Sequence, residues 1–106
     1  MVGIDIVDTK RIEKILTLYG ERFLRRILSD EERKYVDRKK RRIESISGIF
    51  AAKEAFIKAM EKRIPLREIR VLNENGKPYI VYNGRFFKNV SISHEKTYAI
   101  SLVIVP

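Results

Sequence analysis

From Ile43 to Lys62 the chain holds one uninterrupted helical pattern that is apolar around almost its whole circumference. On a wheel at about 100° per residue, Ile46, Ile49, Phe50, Ala52, Ala55, Phe56, Ile57, Ala59 and Met60 leave one narrow polar stripe of Ser47, Glu54, Lys58 and Glu61. Such a helix belongs at the centre of the molecule, with other elements packed around it. Pro65 ends the pattern, because its ring cannot continue a helix.

The rest of the chain supplies that packing. Val2, Ile4 and Ile6 alternate with Gly3, Asp5 and Val7, which is the period of a strand. Ile12, Ile15, Leu16 and Tyr19 recur at helical spacing, with Asp8 or Thr9 as a cap, Gly20 as a stop and Lys10, Arg11 and Lys14 on or near the solvated side. Ser29 with Glu32 forms a capping box, and Asp30, Glu31 and Glu32 complement the positive end of the helix that begins there. The run RKKRRI at 38–43 is a solvated helix end or a loop.

After Pro65 the pattern changes to strands at 69–72, 78–82, 89–93 and 97–105, with Asn75-Gly76 as a hairpin turn between the first two and His94-Glu95-Lys96 joining the last two. The last strand is apolar on both faces, which calls for cover on both sides, part of it another subunit. This order predicts an α+β fold, an N-terminal strand and helices packed on an antiparallel sheet, in a single domain over 1–106. A domain this small buries a modest share of its surface and often gains stability by assembling.

With no cysteine and one histidine, disulfides, thiolate metal sites and multi-histidine zinc sites are excluded, so a metal would be held by oxygen. No apolar run reaches the roughly 20 residues that span a bilayer, and MVGIDIVD lacks a basic segment followed by an apolar one. We expect a soluble, cytoplasmic protein with no membrane partner. Residues 10–42 hold 13 bases and 6 acids, so this segment carries +7 of the total +9. That field attracts polyanions, and charge alone does not choose among nucleic acid, lipid, phosphorylated metabolite and acidic protein.

Glu54 and Lys58 stand one turn apart on the central helix, and a partly desolvated charge there has to be paired or serve a ligand. One reading is an internal ion pair at i, i+4. The other joins Glu54 to Asp5, two carboxylates from a helix and a strand that hold a hard divalent cation, with waters and substrate phosphates completing the shell. Asp5 also fits a salt-bridged strand residue, and Asp8 competes as a ligand but suits a helix cap better. His94, at the end of NVSIS, either donates to a phosphate or caps the hairpin. No Walker loop, dinucleotide fingerprint or serine-histidine-acid arrangement is present.

Four segments in order, GIDIVD at 3–8, FAAKEAFIKAM at 50–60, NGKPYI at 75–80 and VSISH at 90–94, resemble those of the holo-acyl-carrier-protein synthases, the small class of 4'-phosphopantetheinyl transferases. The resemblance implies transfer of 4'-phosphopantetheine from coenzyme A to a serine of apo acyl carrier protein, releasing adenosine 3',5'-bisphosphate and supporting fatty acid synthesis. It assigns magnesium, with the coenzyme A pyrophosphate, to Asp5 and Glu54. Lys58 becomes an electrostatic clamp or general acid at the pyrophosphate, and His94 a coenzyme A contact. The nucleophile is the carrier's serine, whose proton goes to Glu54 or to a metal-linked water. The resemblance further implies a homotrimer with sites between subunits, and an acidic carrier docked on Lys10, Arg11 and Lys14.

Two departures stand out: Ile49 replaces an arginine that many relatives carry at the coenzyme site, and Glu61, Lys62 and Arg63 replace a glycine turn near the phosphates. Lys62 and Arg63 are candidates for supplying charge in its place. Two other readings follow. One is a scaffold of the same fold impaired in coenzyme A binding. The other is a basic nucleic-acid-binding module using 33–42, against which stand the buried pattern of Phe50 and Phe56 and the lack of any RNA-binding or zinc motif.

Overall fold

The computed structural model describes residues 1–106. Strand β1 (Val2–Asp8) leads into helices α1 (Thr9–Tyr19), α2 (Glu21–Ile27), α3 (Asp30–Asp37) and α4 (Arg42–Met60). A short 3-10 turn at Leu66–Glu68 precedes β2 (Arg70–Glu74), β3 (Lys77–Tyr82), β4 (Arg85–Phe87), β5 (Val90–His94) and β6 (Tyr98–Ile104).

The class is α+β, and the strands divide into two antiparallel three-stranded sheets, ordered β1-β6-β5 and β2-β3-β4. The N-terminal strand is therefore a member of the sheet formed by the C-terminal strands, with Gly3 opposite Val103 and Asp5 opposite Ser101. Helix α4 lies against β1, β6 and β5 on one flank. On the other, Phe56 meets the ring edges of Tyr82 and Phe87, with centroids 5.7 and 4.9 Å away. Central placement follows from its apolar circumference, and Ile46, Ala51, Ala52, Ala55 and Phe56 are all fully buried.

Gly3 lets β1 lie directly on that helix. A Cβ at this position would stand 1.9 Å from the carbonyl oxygen of Ala55 and 2.8 Å from the amide nitrogen of Ala59. Every other residue of the strand takes its direction from this contact: Gly3, Asp5 and Val7 face α4, while Val2, Ile4 and Ile6 face away.

Local chemistry decides the remaining boundaries. Asp8 is the α1 cap, its Oδ1 accepting from the Lys10 amide at 2.9 Å, whereas the Thr9 hydroxyl donates to the Lys96 carbonyl. Gly20, at φ 52°, ends α1 and at once admits α2, a helix the spacing of apolar residues left unassigned. Residues 38–41 form a loop, so the basic run is split, and α4 starts at Arg42. Residues 83–87, unassigned by the sequence pattern, complete a second hairpin, with Asn83 and Gly84 both at positive φ turning β3 into β4.

Candidate active site

The first two members of the site come from β1 and α4, which Gly3 brings into contact. Asp5 faces the helix from mid-strand with its side chain 17% exposed, and Lys58 Nζ donates to Asp5 Oδ1 at 3.1 Å and to the Ile4 carbonyl at 2.9 Å. Glu54 stands one helical turn before Lys58. Its carboxyl is pushed above the usual 4.5, first by burial and then by the charge of Asp5, with Lys58 opposing. Asp5 and Glu54 thus share one side of the molecule and feel each other's charge.

This overturns the simple i, i+4 pairing of Glu54 with Lys58. Lys58 crosses to the strand instead, and Glu54 is left without a cationic partner. A carboxylate on β1 and another on α4, near enough for the charge of Asp5 to act on Glu54, are donors that suit a hard divalent cation that also binds water and phosphate oxygens. No third acidic or imidazole group joins them, which is the donor set such a cation uses when a substrate's phosphates finish its shell. The polar stripe itself is graded: Ser47 is fully buried, while Lys58 and Glu61 are exposed. Glu61 is the helix cap in left-handed conformation, φ 56°.

His94 lies apart from this group, at the end of β5. Its Nδ1 is 3.3 Å from Glu44 Oε1, and the other oxygen of Glu44 takes Arg41 Nη1 at 3.4 Å. Glu44 therefore joins the imidazole to the basic loop, a link between residues far apart in the chain to which no local pattern points. Beside it is a cavity of about 190 Å³ lined by Gly48, Ile49, Gly76, Pro78, Ile92 and His94, among others. Two motif segments distant in sequence, 75–80 and 90–94, converge on that cavity with Gly48 and Ile49, which stand just before a third. Ile49 is 5% exposed and lies in its wall, and neither lysine nor arginine lines this cavity. A second hollow of about 410 Å³ is bounded by Lys40, Arg41, Arg42, Glu44 and Lys96, and Glu44 links it to His94.

Lys10, Arg11 and Lys14 are exposed on α1. The structure extends this basic surface into a groove of about 620 Å³ between α1 and α2, lined by Ile15, Tyr19, Phe23, Arg22, Arg25 and Arg26.

The largest omission is inside. Lys53 and Glu32 are both 0% exposed, with Lys53 Nζ 2.6 Å from Glu32 Oε1. The signal was present in the spacing, since Lys53 takes the place in the row Ile46, Ile49, Phe56, Met60 where an apolar residue is due.

Residues 1–103 match the family model of the 4'-phosphopantetheinyl transferase superfamily. The chain belongs to that superfamily. It is an enzyme of the holo-acyl-carrier-protein synthase type: the synthase of a Geobacillus species is 42% identical over 98% of this chain and 93% of its own length. Among solved structures, the Helicobacter pylori synthase in complex with coenzyme A superposes with a TM-score of 0.89 at 33% identity, covering 100% of both chains. The Bacillus anthracis synthase in complex with coenzyme A (3',5'-ADP) gives 0.82 at 34% identity, covering 96% of this chain and 91% of that one. This transferase has no helix long and apolar enough to cross a membrane.

Proposed function

We propose that this chain, as one domain, transfers 4'-phosphopantetheine from coenzyme A to a serine of an acidic apo acyl carrier protein in the cytoplasm, releasing adenosine 3',5'-bisphosphate and supplying fatty acid synthesis. The observation that carries the reading is the convergence of Asp5, Glu54 and Lys58 across the contact of β1 with α4. Asp5 and Glu54 would hold Mg2+ with the coenzyme A pyrophosphate; bound there, the ion polarises the phosphoryl group and offsets its charge. The carrier's serine Oγ, giving up its proton to Glu54 or to a water, would form a new bond to the phosphorus bearing pantetheine as the bond from that phosphorus to the bridging oxygen breaks, freeing adenosine 3',5'-bisphosphate. Lys58, half-exposed and next to Asp5, offsets or protonates the negative oxygen of the departing nucleotide.

The nucleotide end of coenzyme A fits the region where His94 lies between a pocket and the basic loop. Lys40, Arg41 and Lys96 are the local cations for its phosphate. The acidic carrier suits Lys10, Arg11 and Lys14 with the adjoining groove of Arg22, Arg25 and Arg26, whose charge steers and orients an acidic partner.

A homotrimer with sites between subunits is supported by one sheet face. Val2, Ile4, Ile6, Ile100, Leu102 and Ile104 stand side by side on β1 and β6, between 38 and 62% exposed. A contiguous apolar sheet face of this kind is a surface for another chain.

The test is mass analysis of apo carrier protein incubated with coenzyme A, Mg2+ and this protein. The expected result is a gain of one phosphopantetheine that disappears with a chelator. An unchanged carrier, together with no coenzyme A binding, would instead favour the impaired scaffold.

A further inference from the structure

We propose that the buried Lys53–Glu32 pair is a positioning device that sets where Glu54 stands relative to Asp5 and ties it to the helix lining the basic groove. This rests on the reading above that Glu54 and Asp5 hold the metal.

The pair joins four elements. Lys53 Nζ, from α4, donates to the Ile27 carbonyl at the end of α2 at 2.5 Å and to Glu32 Oε1 at 2.6 Å. Glu32, in the first turn of α3, accepts the Ser29 amide on Oε1 at 2.7 Å and the Val71 amide of β2 on Oε2 at 2.5 Å. Ser29 Oγ completes the capping box by accepting the Glu32 amide. One carboxylate therefore serves as capping-box partner, ladder extension and counterion, and one ammonium ends one helix while fixing another.

A pair without solvent access is a poor source of net stability, because both charges give up their hydration. Well-packed apolar residues would hold the core at least as firmly. What a charged, directional contact adds is geometry: any roll or slide of α4 separates Nζ from two acceptors on other elements, and leaves a buried charge unpaired. Lys53 is the residue before Glu54, so the orientation that satisfies the ammonium also orients the carboxylate. The opposite flank of the helix is set by Gly3 beneath Ala55 and Ala59. Glu54 lies between these two constraints. Because the Ile27 carbonyl belongs to α2, whose Arg22, Arg25 and Arg26 line the groove, the same contact holds the distance from groove to carboxylates.

The test compares wild type with the double variant Glu32→Gln, Lys53→Met. Glutamine still serves at this position of a capping box, and methionine keeps the lysine stem's volume. Two readouts are taken on folded protein of matched circular dichroism: kcat and KM for apo carrier, and the gain in coenzyme A affinity that Mg2+ confers, by calorimetry. The expected result is kcat lower by about 10- to 100-fold, an unchanged KM for carrier and a smaller Mg2+-dependent gain. A change in melting temperature alone, with kcat and the Mg2+ gain as in wild type, overturns the proposal and leaves the pair purely structural. Should the double variant fail to fold, Glu32→Gln alone is judged by the same criteria. If wild type gains coenzyme A affinity with Mg2+ but transfers nothing, the assigned function fails and the positioning role is decided by calorimetry. If wild type shows no Mg2+ gain, the metal reading and this inference fall together.

Discussion

Lys58 Nζ lies 3.1 Å from Asp5 Oδ1, so the ammonium of the central helix is paired with the first strand and not with the glutamate one turn away on its own helix. Glu54 is thereby left beside a second carboxylate, its own carboxyl raised by burial and by Asp5. That arrangement is uncomfortable for an empty site and suitable for one that receives a cation.

Glu54→Gln is expected to lower transfer by about 100-fold or more, by deleting a proposed metal ligand while conserving volume. Its effect on the metal-free fold has the opposite sign. A carboxyl whose folded pKa is raised contributes stability that is complete below the unfolded value and lost as pH rises through the folded one. At neutral pH the ionised group is therefore a cost, reduced by solvent screening because Glu54 is only half-buried. Melting curves at pH 7 should place the variant at or above wild type, and the difference should close on acidification below the ordinary carboxylate range. A clear loss of stability at pH 7 would contradict the assignment.

Gly3→Ala should be among the most damaging small substitutions in the chain. The added methyl meets backbone atoms of Ala55 and Ala59, which cannot rotate away. Overpacking of this kind costs about 1–3 kcal/mol or more, and separation of β1 from α4 would part Asp5 from Lys58 as well. Urea denaturation should report the loss, and activity should fall beyond the fraction unfolded.

Glu61→Gly is expected to stabilise the protein by about 1 kcal/mol. Glu61 caps α4 in left-handed conformation, where a Cβ is unfavourable and glycine is not. Thermal unfolding checks this, with Glu61→Ala as the control that should gain nothing comparable.

Glu44→Gln should raise KM for coenzyme A while leaving kcat nearly unchanged. The substitution weakens the hold on His94 Nδ1 and on Arg41 without touching Asp5, Glu54 or Lys58. Steady-state kinetics at varied coenzyme A and fixed carrier distinguish this from a loss in kcat, which would place His94 in the chemical step.

Leu102→Asp should convert an assembly into monomers. Leu102 pairs with Ile4 across β1 and β6 on the exposed apolar face, and a carboxylate there cannot be buried against a second chain without a partner. Light scattering after size exclusion reads the mass directly; a wild type that is already monomeric would rule out the trimer.

The three charged residues that meet where β1 crosses α4 were legible residue by residue. The narrow polar stripe on an otherwise apolar helix singled out Glu54 and Lys58, and an aspartate in the middle of an apolar strand singled out Asp5, because in each case a charge sits where burial makes it costly. The α+β order was legible from the change of period at Pro65. The second hairpin and α2 were not, since a three-residue strand and a seven-residue helix are too short for their periodicity to stand out. Lys53 escaped notice for a different reason: its long stem is compatible with an apolar row, and the partner that makes its burial tolerable lies 21 residues away.

Spacing and residue type by themselves determined the longer elements, where the central helix runs and which buried or half-buried charges call for a partner or a ligand, because helix and strand periods and the cost of burying charge act along a short stretch of chain. Tertiary structure alone decided which partner each charge takes. Lys58 turned to Asp5 because Gly3 admits β1 against α4, Glu44 to His94 because β5 packs on α4, and Lys53 to Glu32 because α3 does. Those contacts join residues far apart in the chain, and no local pattern specifies the distance between them.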